Sequence, residues 1–308
     1  MMKQCSGKSR TKRARSIFVF CMLAYPVAHF IFSQCLQLNI LYMAFHDYSE
    51  NMFKPTFCGW DNFVAVFNLF KKVGTDNEWY AVRNSLSIFL LSILVNTPLT
   101  LMFSYLLYIK VKGYKWLRTL IYIPCIVSAV VLVLVFRSFV NSGALNTIMN
   151  VLGMANQIPV DGWLGPNHAW TMILLFSVWT GVNLNILYFL PAMNRIPNDL
   201  VEAAKLDGAS EFQIFIKLIF PLITPTFFTL MTVGIAGIFT WFMPAMLMMN
   251  SNYGIYNTAT VGMSLIRLST DKVYGVVSAY GLLVTLIAAP ITLGFRKLGD
   301  KFQVEADY

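Results

Sequence analysis

Between Lys217 and Arg267 the chain runs for 49 residues without a charged side chain. A soluble domain cannot hide such a run, because a core of that size leaves most of its surface facing water. Shorter charge-poor runs recur at Ser16–Phe45, Asn84–Ile109, Thr119–Phe136, Ala169–Asn194 and Val273–Phe295. A bilayer core about 30 Å thick needs roughly 20 apolar residues in helical form, so each of these supplies one span. The long run exceeds one span and is too polar in its second half for two. It is read as a fifth span over Leu218–Trp241, then a loop with its tip at Asn250-Ser251-Asn252-Tyr253-Gly254. The expected fold is an all-α integral membrane protein of six transmembrane helices. A basic stretch 1–15 precedes the six-span domain 16–295, and a tail 296–308 follows it.

Basic residues then fix the expected orientation. Residues 1–15 hold six Lys and Arg and no acid, which places them in the cytoplasm. With an even number of spans, both termini are cytoplasmic. Of the 23 Lys and Arg, 16 fall on the inner side, while the 14 acids divide equally between the two sides. The net charge of +9 therefore belongs to the inner face, where it sets topology and meets anionic lipid. It carries no sign of a nucleic-acid partner or an acidic substrate. The apolar stretch after Arg15 is expected to remain as a span, since no small-x-small cleavage site follows it.

At membrane depth His29 is the one clear ionisable residue. Proton-driven carriers and voltage sensors hold charge there, so both classes fit poorly. The remaining polar groups are neutral: Asn96, Ser128, Thr180, Asn183, Asn185 and Thr240, with Trp179 and Trp241 nearby. Each admits a plain role as an interhelical hydrogen bond and a second role lining a path for an uncharged solute. Cys5, Cys21, Cys35, Cys58 and Cys125 have no metal-ligand spacing, and His29, His46 and His168 are scattered. No metal site and no catalytic residue are expected. A membrane-embedded transferase would need paired carboxylates or a His–Asp arrangement, and the acids here do not offer one. Gly7-Lys8-Ser9 resembles the end of a phosphate loop, yet Met2 stands where that loop needs glycine. Any ATP and Mg²⁺ that power this chain are expected on a partner polypeptide.

One inner loop, Arg195–Lys217, differs from the others. It holds three basic and four acidic residues and has clear helix punctuation. Pro197 precedes a helix start at Asn198-Asp199, and Asp199 with Glu202 has capping-box spacing. The helix is expected to run to Asp207 and stop at Gly208. Ser210 with Gln213 restarts a second short helix, expected to end at Pro221 where the fifth span begins. Two short helices with a glycine elbow are suited to docking. In the outer segment Trp60–Lys72, Trp60, Phe63, Val64, Phe67 and Phe70 fall on one helical face, which suggests a helix at the membrane surface.

Glu202-Ala203-Ala204, then Gly208, then Leu218-Ile219-Phe220-Pro221 resembles the EAA motif of ABC-importer permeases. It departs from that pattern only in Leu218 and Phe220, apolar for apolar. Gly59-Trp60-Asp61-Asn62-Phe63, Arg118-Thr119-Leu120 with Pro124, and Trp163-Leu164 resemble the carbohydrate branch, of maltose and glycerol-3-phosphate type. The resemblance covers about four-fifths of the chain. It implies a permease subunit, in a bacterial plasma membrane, of an importer for a sugar or oligosaccharide. Its partners would be a second permease in a heterodimer, two ATP-binding cassette subunits and an extracytoplasmic sugar-binding protein. Glu202, Ala203, Ala204, Asp207, Gly208 and Pro221 would couple to the ATPase. Ser128, Trp179, Thr180, Asn183, Thr240 and Trp241 would line the substrate path, Trp179 matching a tryptophan that contacts sugar in the maltose type. Cys125, Ala129 and Leu184 depart from that type, which argues against maltose itself. A stand-alone carrier is the competing class, and it would transport without an ATPase.

Overall fold

The computed structural model describes residues 5–48, 54–72, 78–250 and 253–302. Residues 251–252 of the expected loop tip, residues 1–4 and 303–308, and the side chains of the basic stretch 5–17 lie outside the described residues. Most of the described residues are helical. In order come α1 (Cys5–Ala44), α2 (Asp61–Leu69), α3 (Glu78–Leu91), α4 (Thr97–Tyr108), α5 (Tyr114–Ile126), α6 (Ala129–Asn141) and α7 (Ala144–Val151). They are followed by α8 (Ala169–Asn194), α9 (Asn198–Leu206), α10 (Glu211–Ile214), α11 (Phe220–Gly237), α12 (Met243–Met248), α13 (Val261–Thr270) and α14 (Tyr274–Phe302). One two-stranded hairpin, β1 (His46–Asp47) with β2 (Thr56–Phe57), pairs antiparallel. Among the described residues, five stretches are long and apolar enough to cross a membrane: Phe18–Ala44, Glu78–Tyr108, Ala169–Asn194, Glu211–Gly237 and Tyr274–Phe302. Counted as one bent span, the pair α5 and α6 makes a sixth.

That pair corrects the expected third span. Thr119–Phe136 is not one rod; its two arms meet at 105°. Pro124 lies inside α5 and removes a backbone donor from its last turns, and the chain is extended at Val127 and Ser128. The new helix starts cleanly, with Leu132 N–H donating to Ser128 O at 3.0 Å. The fifth span needs a second correction. No helix ends at Pro221: α10 passes through a π turn, Phe215–Ile219, straight into α11. A matching π turn, Ser92–Asn96, joins α3 to α4 one residue before Thr97-Pro98. The cause is shared. A proline inside a helix lacks its N–H and crowds the carbonyl four residues back, and widening the turn relieves that clash. The residue before each proline donates five back, Thr97 to Ser92 O and Phe220 to Phe215 O.

Two compact units divide the chain, residues 1–66 with 272–282, and residues 67–271 with 283–308. In the first, the Phe18–Ala44 stretch of α1 is apolar enough to cross a membrane, and no described side chain before Ala44 is buried, as expected of a helix facing lipid. Asn62 is the clasp of this unit. Its buried amide donates to Ala44 O and His46 O, both at 3.0 Å, and lies 3.2 Å from Cys58 Sγ. Gly59 makes the turn before it at φ +58°. Gly275 lets the chain pass close by: a Cβ there would sit 2.5 Å from both Asn62 Nδ2 and His46 O. The Gly-Trp-Asp-Asn-Phe stretch is thus a structural clasp. Burial pushes the Cys58 thiol up, which keeps it protonated and inert. Asn62→Ala would strand two carbonyls and is expected to cost about 1–3 kcal/mol. A melting curve in detergent measures this, and an unshifted midpoint would rule the clasp out.

The expected apolar face of Trp60–Lys72 is split. Trp60, Val64 and Phe67 are exposed, whereas Phe63 is buried together with Val66 and Leu69. The stripe available to a membrane surface is therefore narrower than the sequence suggests.

In the second unit α4 packs along α8 through small and polar residues. Asn96, Thr97, Thr100 and Ser104 are buried on one side, and Ser177 and Asn183 on the other. Asn96 Nδ2 donates to Ser177 O at 3.2 Å, and Thr100 Oγ1 lies within bonding distance of Asn96 O and Val182 O. Such contacts let helix backbones approach in a medium where apolar burial gives little drive. The α3 helix includes six residues before the expected Asn84, and Glu78 among them pairs with Arg267 at 3.0 Å. Nearby, Asn84 Nδ2 donates to Asn257 O and Ala259 O, and Val261 N–H donates to Ser85 Oγ. These bonds hold the start of α13 against α3.

Candidate functional site

The predicted coupling loop folds as a helical elbow. The α9 helix begins at Asn198 after Pro197, with no side-chain cap. The capping box expected of Asp199 and Glu202 is not formed; Pro197 has already set the chain direction, and its carbonyl accepts from Leu200 N–H at 3.2 Å. The other end follows the sequence reading closely. Gly208 takes φ +79°, Gly208 N–H donates to Lys205 O, and Ala209 N–H donates to Ala204 O. This is a Schellman ending, which satisfies two carbonyls of the last turn. Asp207 stands at the C-cap, its N–H on Ala203 O. Ser210 and Gln213 then form the expected capping box, at 2.9 and 3.3 Å, and open α10.

The two alanines do different work. Ala204 packs inward with Val201 and Ala209 against Leu101, Phe189, Met193, Ile196, Ile214, Ile219 and Ile223. Ala203 and Glu202 are exposed on the opposite face. Glu202 does not cap α9, so its carboxylate remains for an outside contact. Sequence reading passed over the most exposed large apolar side chains here: Leu206 is 89% exposed and Phe212 73%. They flank Gly208 on either arm of the elbow. The available signal was weak, since the same loop also holds Ile196, Leu200, Val201, Ile214, Phe215 and Ile216. Pro221 does not join this surface; it lies half-buried beyond the π turn, in α11.

Two contacts fasten the elbow. Lys205 Nζ pairs with Glu211 Oε1 at 2.9 Å, closing the angle between α9 and α10. Tyr105 on α4 donates its hydroxyl to Glu211 Oε2 at 2.6 Å and lies 3.0 Å from Glu211 O. Its ring also meets Phe215, 5.0 Å between centroids. The elbow thus contacts α4 through Tyr105 and α8 through the buried cluster beneath Ala204.

The predicted substrate-path residues are only partly brought together. Trp179 is half-exposed, stacks on Phe136 with ring centroids 6.2 Å apart, and meets Phe176 edge-on. Trp241 packs against the same cluster, which also includes Phe136 and Phe176. Thr180, Asn183 and Thr240 bond instead to backbone carbonyls within a turn of themselves, Phe176 O, Trp179 O and Gly237 O. Ser128 sits at the break between α5 and α6 and is exposed. No group of three or more His, Cys, Asp or Glu able to hold a metal occurs among the described residues.

Residues 96–302, which include the elbow and every predicted site residue, match the model of binding-protein-dependent transport system inner membrane components. The chain belongs to this family. Among the inner membrane components similar to it is the probable ABC transporter permease protein YesP of Bacillus subtilis (strain 168). That protein is 28% identical over 242 residues, 77% of this chain and 75% of the relative. The trehalose/maltose transport system permease protein MalF of Thermococcus litoralis is also 28% identical, over 77% of this chain and 80% of its own. The sn-glycerol-3-phosphate permease protein UgpA of Escherichia coli O157:H7 is 29% identical over 61% of each chain. In fold, the chain is similar to one from a bacterial ABC transporter that imports the acidic polysaccharide alginate. The TM-score is 0.78 at 20% identity, covering 96% of this chain and 99% of the other. The expected resemblance and the all-helical membrane fold are both borne out.

Proposed function

We propose that this inner membrane component is the permease subunit of an ATP-driven importer for a sugar or oligosaccharide. The observation that carries the reading is the elbow. Its apolar tips, Leu206 and Phe212, stand exposed beside Gly208, while its base is fastened to α4 and α8. Exposed anchors on a well-held support are what a docking surface requires. The partner is an ATP-binding cassette subunit that holds ATP and Mg²⁺ itself. Its closure pushes the elbow, the α4–α8–α11 core follows, and the path alternates between outward and inward access. A second permease and a substrate-binding protein complete the assembly, with both termini and the elbow in the cytoplasm. Relatives named for trehalose/maltose and arabinooligosaccharide transport support a sugar, as does the neutral composition of the spans.

Reconstitution separates this from a stand-alone carrier. Purified chain in liposomes should take up no labelled sugar. Vesicles holding it with its second permease, ATPase and binding protein should do so only with Mg-ATP inside. Uptake by the chain alone would assign it to the carrier class.

A further inference from the structure

Two sets of neutral polar side chains in the second unit contrast with one another. Asn96, Thr100, Ser177, Thr180 and Asn183 all donate to nearby backbone carbonyls. Ser92, Asn185, Tyr188 and Thr226 make no side-chain hydrogen bond to any described residue, although each has one or more groups able to donate and accept. These four converge on one cavity of about 590 Å³ between the π turn of the second span, α8 and α11. Unmatched polar groups at membrane depth are costly, so four around one concavity call for a common occupant.

The lining identifies its chemistry. No charged side chain borders the cavity. Phe89 and Tyr188 bring aromatic rings to it, and Gly234 leaves its wall open, a Cβ there meeting only Phe89 at 3.9 Å. The volume lies within the roughly 300–1,000 Å³ of small-molecule sites. Aromatic surface beside uncharged donors and acceptors suits a neutral polyhydroxylated molecule and disfavours a charged one.

We propose that this cavity, walled by Ser92, Asn185, Tyr188, Thr226 and Gly234, is the sugar-holding station of the transport path. It rests on the importer reading, and it moves the station away from the Trp179–Trp241 cluster. The amide, phenol and hydroxyls of the wall have no partners within the chain, and a neutral sugar supplies them. The rival occupant is a second permease subunit that seals this face.

The test uses the complete transporter, with partner permease, ATPases and binding protein, in inside-loaded vesicles. Labelled maltose, trehalose and an arabinose trisaccharide serve as probes, with glucuronate as the charged comparison. Gly234→Leu fills the cavity. The triple variant Asn185→Leu, Tyr188→Phe and Thr226→Val keeps its shape but removes its hydrogen bonds. Both should assemble at wild-type yield and lose at least about tenfold in maximal uptake of the neutral probe that the wild type moves. A Thr226→Cys variant on a chain with its own cysteines replaced should react with a water-soluble thiol reagent, and that same sugar should slow the reaction while glucuronate does not.

Uptake within twofold of wild type in both variants overturns the station and leaves the importer reading standing. So does a Thr226→Cys thiol that cross-links to the partner permease and is never labelled, since the face is then an interface. Poor assembly of Gly234→Leu shifts the decision to the Thr226→Cys variant: protection by sugar supports the proposal and its absence overturns it. A wild-type complex that moves none of the neutral probes overturns the importer reading, and the station with it.

Discussion

Gly208→Trp is expected to insert and fold, yet to abolish ATP-driven uptake. Nothing lies within 4 Å of a Cβ built at Gly208, so the indole meets no obstacle inside the chain. Its bulk is added instead to the exposed elbow that carries Leu206 and Phe212, the proposed anchors. Blocking a docking surface at its centre forfeits about 2–4 kcal/mol of anchor contacts. That corresponds to roughly 30- to 1,000-fold weaker association with the ATPase. Backbone strain is a separate effect, because φ is +79° at this position. Two controls isolate it: Gly208→Asn tolerates the left-handed conformation, and Gly208→Ala carries a strain of about 1–2 kcal/mol without bulk. Pull-down of the ATPase and its stimulated hydrolysis are the readouts. Docking predicts failure for Trp and recruitment for Asn and Ala. A tryptophan variant that recruits and stimulates normally would remove the elbow from the coupling pathway.

A second large effect is expected in the core. Gly181 on α8 lies directly against the buried amide of Asn96, and a Cβ added there would overlap Asn96 Nδ2. The neighbour cannot swing away freely, since its amide is held on Ser177 O. Gly181→Ala should therefore destabilise by about 1–3 kcal/mol from overpacking, with the displaced hydrogen bond added. Gly181→Leu should leave little folded protein. The explanation predicts a specific coupling: in an Asn96→Ala background the space is free, and Gly181→Ala should then cost much less. A double-mutant cycle on thermal midpoints in detergent would show this as non-additivity. Simple additivity would mean that the two residues do not compete for one space.

Charge alone revealed most of the membrane architecture. The bounds Ala169–Asn194 coincide with α8, because a span flanked by charges has few ways to end. The broken third span was hidden for a physical reason. Hydropathy sums apolar side chains and is blind to direction, so two arms at 105° read as one run. Pro124 marked the weakness, although the break falls three residues later at Val127. At the fifth span, Glu211 and Lys217 made a membrane helix look like a loop, when these charges belong to its extension beyond the apolar run. In the elbow, Gly208 and the Ser210–Gln213 box were legible because they are backbone requirements written in residue type. Leu206, Phe212 and Tyr105 were not. An apolar residue in a loop reads equally as packing or as an exposed anchor, and only its surroundings decide. The four cavity groups show the same limit, since a side chain without a partner is a property of neighbours rather than of sequence.

The unbroken helix from Glu211 to Gly237 has a mechanical consequence. Its 27 residues make a rod about 40 Å long at 1.5 Å per residue. Phe212 stands at one end, and the cavity wall at Thr226 and Gly234 lies towards the other. Had the chain hinged at Pro221, a push on the short arm would have dissipated as bending at the membrane surface. On the importer function proposed above, a continuous rod held in the core at Ile219 and Ile223 would act as a lever, so that a stroke on one side of the bilayer would be returned as a counter-stroke at the far end.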